Sequence, residues 1–189
     1  MPRNFVIVIG IALCFNLMSC DLFKTRTPEE PSQQSSNYVP PTEPSLVLQN
    51  MVSEFQGGDA VHYKNSFSDA FSFTPSTSAQ GKYGIEWTAW NSTQEQTYFK
   101  NLFVHFNNAS IILTFESISP IQINSTTYQV ETTYSLTLPT ETGIIKRFNG
   151  QVQFTLVQDP SGSWSINRWV DVGSDSTWSD LKGIAYSQW

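Results

Sequence analysis

The sequence predicts an α+β fold in which N-terminal helices pack on a curved antiparallel sheet built from the C-terminal half. Two observations carry this. Apolar residues recur at spacings of three and four in the first part of the domain and at every second position afterwards, the periods of an amphipathic helix and of a half-buried strand. The composition agrees: of 189 residues, 39% are hydrophobic, 14% aromatic and 14% charged. That is apolar enough for one core and too polar for a polytopic membrane protein. A net charge of −6 also argues against a nucleic-acid partner, because an acidic body repels the phosphate backbone.

The first helix is predicted from Thr42 as N-cap, with Leu48, Met51, Val52 and Phe55 on one face and Gly57-Gly58 as its stop. Asp59 can cap a second, short helix running through Tyr63 to about Phe67. Phe67, Phe71 and Phe73 then lead into Pro75 and a polar loop ending at Gly84. Ser92 with Glu95 has the spacing of a capping box, opening a third helix whose core face is Phe99, Leu102, Phe103 and Phe106.

Beyond that helix the period falls to two. Ala109 to Ile118 is strand-like and closes at Ser119-Pro120. Tyr128, Val130, Thr132, Tyr134, Leu136 and Leu138 alternate with polar residues, as do Phe148, Val152, Phe154 and Leu156. The segments are separated by Pro139 to Gly143 and by Asp159-Pro160-Ser161-Gly162, with Trp164-Ser165-Ile166 after the second turn. Such alternation means one buried face and one wet face, joined by hairpins.

Two segments precede the domain. Met1 to Asn4 carries one Arg, Phe5 to Phe15 is apolar, and Leu17-Met18-Ser19-Cys20 follows. A positive start, a short apolar run and small residues are the parts of an export signal, and the run is about half the roughly 20 residues of a membrane-spanning helix. From Asp21 to Pro44 the composition changes to Pro28, Pro31, Pro40, Pro41 and Pro44 among Ser, Thr, Gln and Glu. This reads as a flexible, disordered tether with a mean reach of about 27 Å and a limit of about 75 Å in the extended polyproline form. The expected division is 1–19 signal peptide, 20–44 lipidated cysteine and tether, and 45–189 folded domain.

Leu17-Met18-Ser19-Cys20 resembles the lipobox of bacterial lipoproteins. The resemblance implies cleavage before Cys20, acylation of its thiol, and export to a bacterial envelope with the bilayer as partner. Cys14 would leave with the signal, so the mature chain would hold no free thiol and no disulfide.

The order of elements resembles the nuclear-transport-factor-2-like (cystatin-like, or SnoaL-like) cone fold, most closely that of envelope lipoproteins carrying such a domain. The residues that carry the likeness are Leu48 to Phe55, Asp59 to Tyr63 with Phe67, Phe71-Ser72-Phe73, and the end: Trp164-Ser165-Ile166, Trp169, Asp171 and Trp178 to Gly183. The resemblance implies a cone with a cavity. It does not imply one activity, since the fold carries enzymes, binding modules and adaptors alike.

No catalytic constellation is legible. His62 and His105 lie apart on helices, Asp69, Glu116 and Asp171 are unpaired by spacing, and Asp171 reads as a hydrogen-bond acceptor near a strand end. No cofactor is expected, and no metal either, because two separated histidines without a free cysteine give no ligand spacing. Trp87, Trp90, Trp178 and Trp189 could form a docking surface, but the core is the better place for them. The strand alternation puts Tyr134, Phe154 and Trp164 on the core side and Glu131 on the other, so a cavity lined by the first three would take an apolar ligand. The expectation is therefore a non-catalytic module for a small apolar ligand or an envelope protein. The alternative is an isomerase, dehydratase or hydrolase using an acid or His inside the cone.

Overall fold

A computed structural model describes residues 38–139 and 146–189, all within one compact unit. The signal segment, Cys14, Cys20, the tether up to residue 37 and most of the Pro139–Gly143 turn lie outside the described residues. Among the described residues no helix is long and apolar enough to cross a membrane.

The order is α1 (Pro44–Gly57), α2 (Ala60–Asn65), β1 (Phe67–Thr74), a 3-10 turn (Trp87–Ala89), α3 (Ser92–His105), β2 (Ile112–Phe115), β3 (Ile121–Asn124), β4 (Thr127–Leu138), β5 (Lys146–Gln158), β6 (Trp164–Val172) and α4 (Trp178–Ser187). Leu48, Met51 and Phe55 of α1 are fully buried, as their spacing predicts. The helix starts at Pro44 rather than under a Thr42 cap: Glu43 occupies the N-cap without a side-chain bond, and the fixed φ of Pro44 suits the first turn. Gly58 ends α1 in the left-handed region at φ 76°, and Asp59 caps α2 through the amides of Val61 and His62.

The α3 cap is displaced by one residue from Ser92/Glu95. Asn91 is the N-cap and Gln94 closes the capping box. Both pairs have the required spacing. Asn91 wins because Glu95 is held inside the protein, as described below.

The sheet runs β1-β6-β5-β4-β2, with β3 pairing to β4. It is mixed rather than antiparallel throughout. The β2–β6 segments pair antiparallel, but β1 returns from the helices to lie parallel to β6. Alternation in β4 and β5 is as the sequence predicts, with Val130, Tyr134, Leu136, Phe148, Val152, Phe154 and Leu156 all buried. In β6 it is interrupted: Leu156 pairs with Ile166 while Thr155 pairs with Arg168, so Asn167 is an extra residue. This bulge changes the phase of the strand. An unbroken alternation from Trp164 and Ile166 would turn Arg168 and Val170 to the core. With the bulge it is Trp169 and Asp171 that enter it, at 0% and 2% exposure.

The helices cover this inner face. Trp169 of β6 meets Trp178 of α4 edge-on at 4.5 Å, and Trp178 also meets Phe55 of α1 at 5.5 Å. The segment entering α1 lies against the same unit: Asn50 bonds both the N–H and the C=O of Val39, and Pro41 accepts from the Trp164 amide.

Candidate functional site

The inside of the cone is where the fold concentrates polar chemistry, and it holds two linked groups. In the first, Glu95 of α3 and Lys182 of α4 form an ion pair at 2.7 Å with both side chains fully buried. The carboxylate also accepts from Tyr63 Oη at 2.7 Å and Trp90 Nε1 at 2.6 Å. Lys182 Nζ lies 3.4 Å from the centre of a Trp169 ring and 3.7 Å from that of Phe73, so the ammonium sits in an aromatic cage. Burial pulls its pKa down to about 8, against the opposing attraction of Glu95.

The second group centres on Asp171, which accepts from Tyr134 Oη at 2.9 Å and from the Ser179 amide at 2.7 Å, and also from Ser179 Oγ. Tyr134 Oη in turn accepts from the Trp178 amide at 2.6 Å, and Trp178 Nε1 donates to Tyr98 Oη at 2.9 Å. Burial pushes the Asp171 carboxyl up, although its hydrogen bonds favour the charged form. Tyr134 fits because Gly150 faces it on β5: a Cβ there would lie 2.7 Å from the tyrosine oxygen.

The C-terminal helix binds both groups to the cone. Thr177 and Asp180 form its capping box, and Asp180 further accepts from Tyr83 Oη and Lys82 Nζ at 2.8 Å each. Burial opposes the charge on Asp180, but the bonds from Lys82, the Thr177 amide and Tyr83 outweigh it and hold its pKa near 2. Trp178 fills the centre, in contact with the rings of Phe55, Phe115, Tyr134 and Trp169.

Tyr134 and Phe154 are packed around this centre, at 3% and 0% exposure. Trp164 is buried elsewhere, edge-on to Tyr128 at 5.2 Å. Tyr134 pairs with Gly150 while Trp164 pairs with Gln158. That puts Trp164 about 26 Å from Tyr134 along β5 at roughly 3.3 Å per residue, with Phe154 midway. The rings of Trp169 and Trp178 join Phe154 to Tyr134, whereas Trp164 packs on Tyr128. None of three described surface hollows is lined by these residues. One of them, of about 410 Å³, lies on the outer sheet face between Glu116, Glu131, Gln151, Gln153 and Val172. Trp87, Trp90 and Trp178 are buried, and Trp189 is part-exposed and stacked on His105 at 3.8 Å. His62 pairs with Asp59 at 2.8 Å on the α1–α2 corner. Neither histidine reaches the cone interior groups.

Reading by elements missed Glu95 and Lys182. A signal was present: Glu95 shares a helical face with Phe99, Leu102 and Phe103, and Lys182 shares one with Trp178, Leu181 and Ala185. Two opposite charges on two core faces are each other's natural partners.

The architecture, helices packed on a curved mixed sheet, matches the cystatin-like fold. No protein-family model and no curated protein sequence matches the chain. Solved structures do. A protein of unknown function from Mycobacterium tuberculosis superposes with a TM-score of 0.55 at 12% identity, over 76% of this chain and 86% of that one. A domain described as having a cystatin-like fold, from Nostoc punctiforme, gives 0.51 at 12% identity over 67% and 72%. Aln2 from Streptomyces gives 0.53 at 13% over 67% and 85%. At such identities the likeness is one of fold.

Proposed function

We propose that the chain is an exported lipoprotein, held to a bacterial membrane by acylated Cys20 on its Pro/Ser/Gln-rich tether, whose cone domain binds without catalysing. The observation that carries the second half is the occupation of the cone by α4. Trp178 takes the central volume, and Glu95, Lys182 and Asp171 are each engaged by partners from the chain itself. Proton transfer to a substrate needs a group that can reach the substrate, and these face side chains. An apolar ligand reaches Tyr134 and Phe154 by displacing Trp178; a partner protein uses the outside. The lipobox and tether support the anchored half.

Palmitate labelling of the expressed chain tests the anchor: label should vanish in Cys20→Ala and persist in Cys14→Ala, and equal labelling of both would sink it. The alternative enzyme reading has one observation in its favour, the Asp171 carboxyl raised by burial beside the Tyr134 hydroxyl. A turnover abolished by Asp171→Asn in a variant that still melts cooperatively would establish the enzyme in place of the binder.

A further inference from the structure

The corner between α1 and α2 carries a group of titratable side chains outside the cone interior. Glu54 stands in the last turn of α1, Asp59 caps α2 and His62 lies one turn further on. One ligating atom of each lies within 4.8 Å of the others. The left-handed Gly58 reverses the chain between the two helices and makes this approach possible.

The three side chains are not equally provided for. Asp59 Oδ1 accepts from the amides of Val61 and His62, and Oδ2 lies 2.8 Å from His62 Nδ1. Glu54 is only 3% exposed, yet its carboxylate accepts no hydrogen bond among the described residues. It gains no donor there, and it faces a second carboxylate. Buried charges are normally paired or coordinate a metal.

We infer that Glu54, Asp59 and His62 form a binding site for a divalent transition-metal ion of the zinc type. The donor set is two carboxylate oxygens and one imidazole nitrogen, which suits zinc and its first-row neighbours better than the all-oxygen shell of calcium. Three ligands leave one tetrahedral position for water or an incoming group. Asp59 and His62 side chains are 39% and 30% exposed, which gives an ion a way in. Tyr38 stacks face-on to the His62 ring at 4.7 Å, which holds the orientation of the imidazole.

The test uses the untagged full chain in detergent, stripped with a chelator and titrated with Zn²⁺ by calorimetry and with Co²⁺ by visible absorption. Wild type should bind one ion per chain and melt at a higher temperature with zinc. Glu54→Gln, Asp59→Asn and His62→Ala should each weaken zinc at least tenfold and lose the cobalt bands, whereas His105→Ala should change neither. Asp59→Asn keeps the helix cap, because Asn caps as well as Asp, and Glu54→Gln replaces a buried carboxyl by an amide of the same shape, so both should fold. Absence of saturable one-to-one binding in wild type would overturn the site. So would undiminished binding in Glu54→Gln and His62→Ala.

Discussion

Replacing Lys182 by Met should be among the most damaging single changes in this domain, out of proportion to the volume it alters. Methionine fills nearly the same space and keeps contact with Trp169 and Phe73. What disappears is the charge 2.7 Å from Glu95, in a site where both side chains are fully buried. Tyr63 and Trp90 still donate to the carboxylate, but neither neutralises it. Breaking one side of a buried pair costs about 3–5 kcal/mol, because the remaining ion keeps its desolvation penalty. At about 2–4 °C per kcal/mol for a domain of this size, the melting temperature should fall by about 6–20 °C. Glu95→Gln should cost less, since Lys182, already drawn down to about 8 by burial, can shed its proton. The double variant should recover much of the loss of Lys182→Met. Urea unfolding of the four proteins gives the cycle. A Lys182→Met protein melting within about 2 °C of wild type, or a double variant showing simple additivity, would refute the pairing argument.

The same pair sets a pH dependence. The folded-state pKa of Lys182, about 8, lies below the ordinary 10.5, so in that window the unfolded chain binds the extra proton. Stability contributed by this group therefore rises with pH from about 8 towards 10.5, as the penalty of burying the ammonium is relieved. The stability advantage of wild type over Lys182→Met should widen over that range.

Asp180 should act in the opposite region. Its pKa of about 2 lies below the ordinary 3.8, so its contribution of about 2 kcal/mol is present above pH 4 and lost as pH falls towards 2, a slope that Asp180→Asn should flatten in acid melts. Gly183→Ala should destabilise by about 1–3 kcal/mol, measured in urea, because the new Cβ would sit 2.2 Å from a Tyr83 ring atom while the Tyr83 hydroxyl is tied to Asp180. Phe154→Ala should cost about 3–5 kcal/mol in the same assay, since the ring is fully buried against Phe115 and Trp169.

Much of the fold was legible where one local rule acts alone. The α1 face, the Gly58 stop, the Asp59 cap and the alternation of β4 and β5 each follow from spacing within a single element. Features that depend on a distant partner were less legible. Parallel pairing of β1 with β6 joins residues about a hundred positions apart, and Phe67, Phe71 and Phe73 do not announce which strand they will meet. Helix α4 was visible as the motif Trp178 to Gly183 but not as a helix, because a Thr177–Asp180 capping box is a weak signal beside so many other Ser, Thr and Asp residues.

The candidate site shows the same division more sharply. Reading β6 with an unbroken period of two gives the wrong inner face after Ile166, and only the extra residue at Asn167 makes Trp169 and Asp171 core residues. That single change of phase has consequences across the cone. It supplies the ring over which Lys182 lies, the surface against which Trp178 packs and the carboxylate that fixes the first turn of α4 through Ser179. A strand that kept its phase would present Arg168 and Val170 to α4, bringing a second cation beside Lys182 and removing the acceptor at Ser179. The bulge, the buried pair and the docking of the last helix therefore stand or fall together. A cone filled in this way is a consequence of one unpaired residue in an otherwise regular strand.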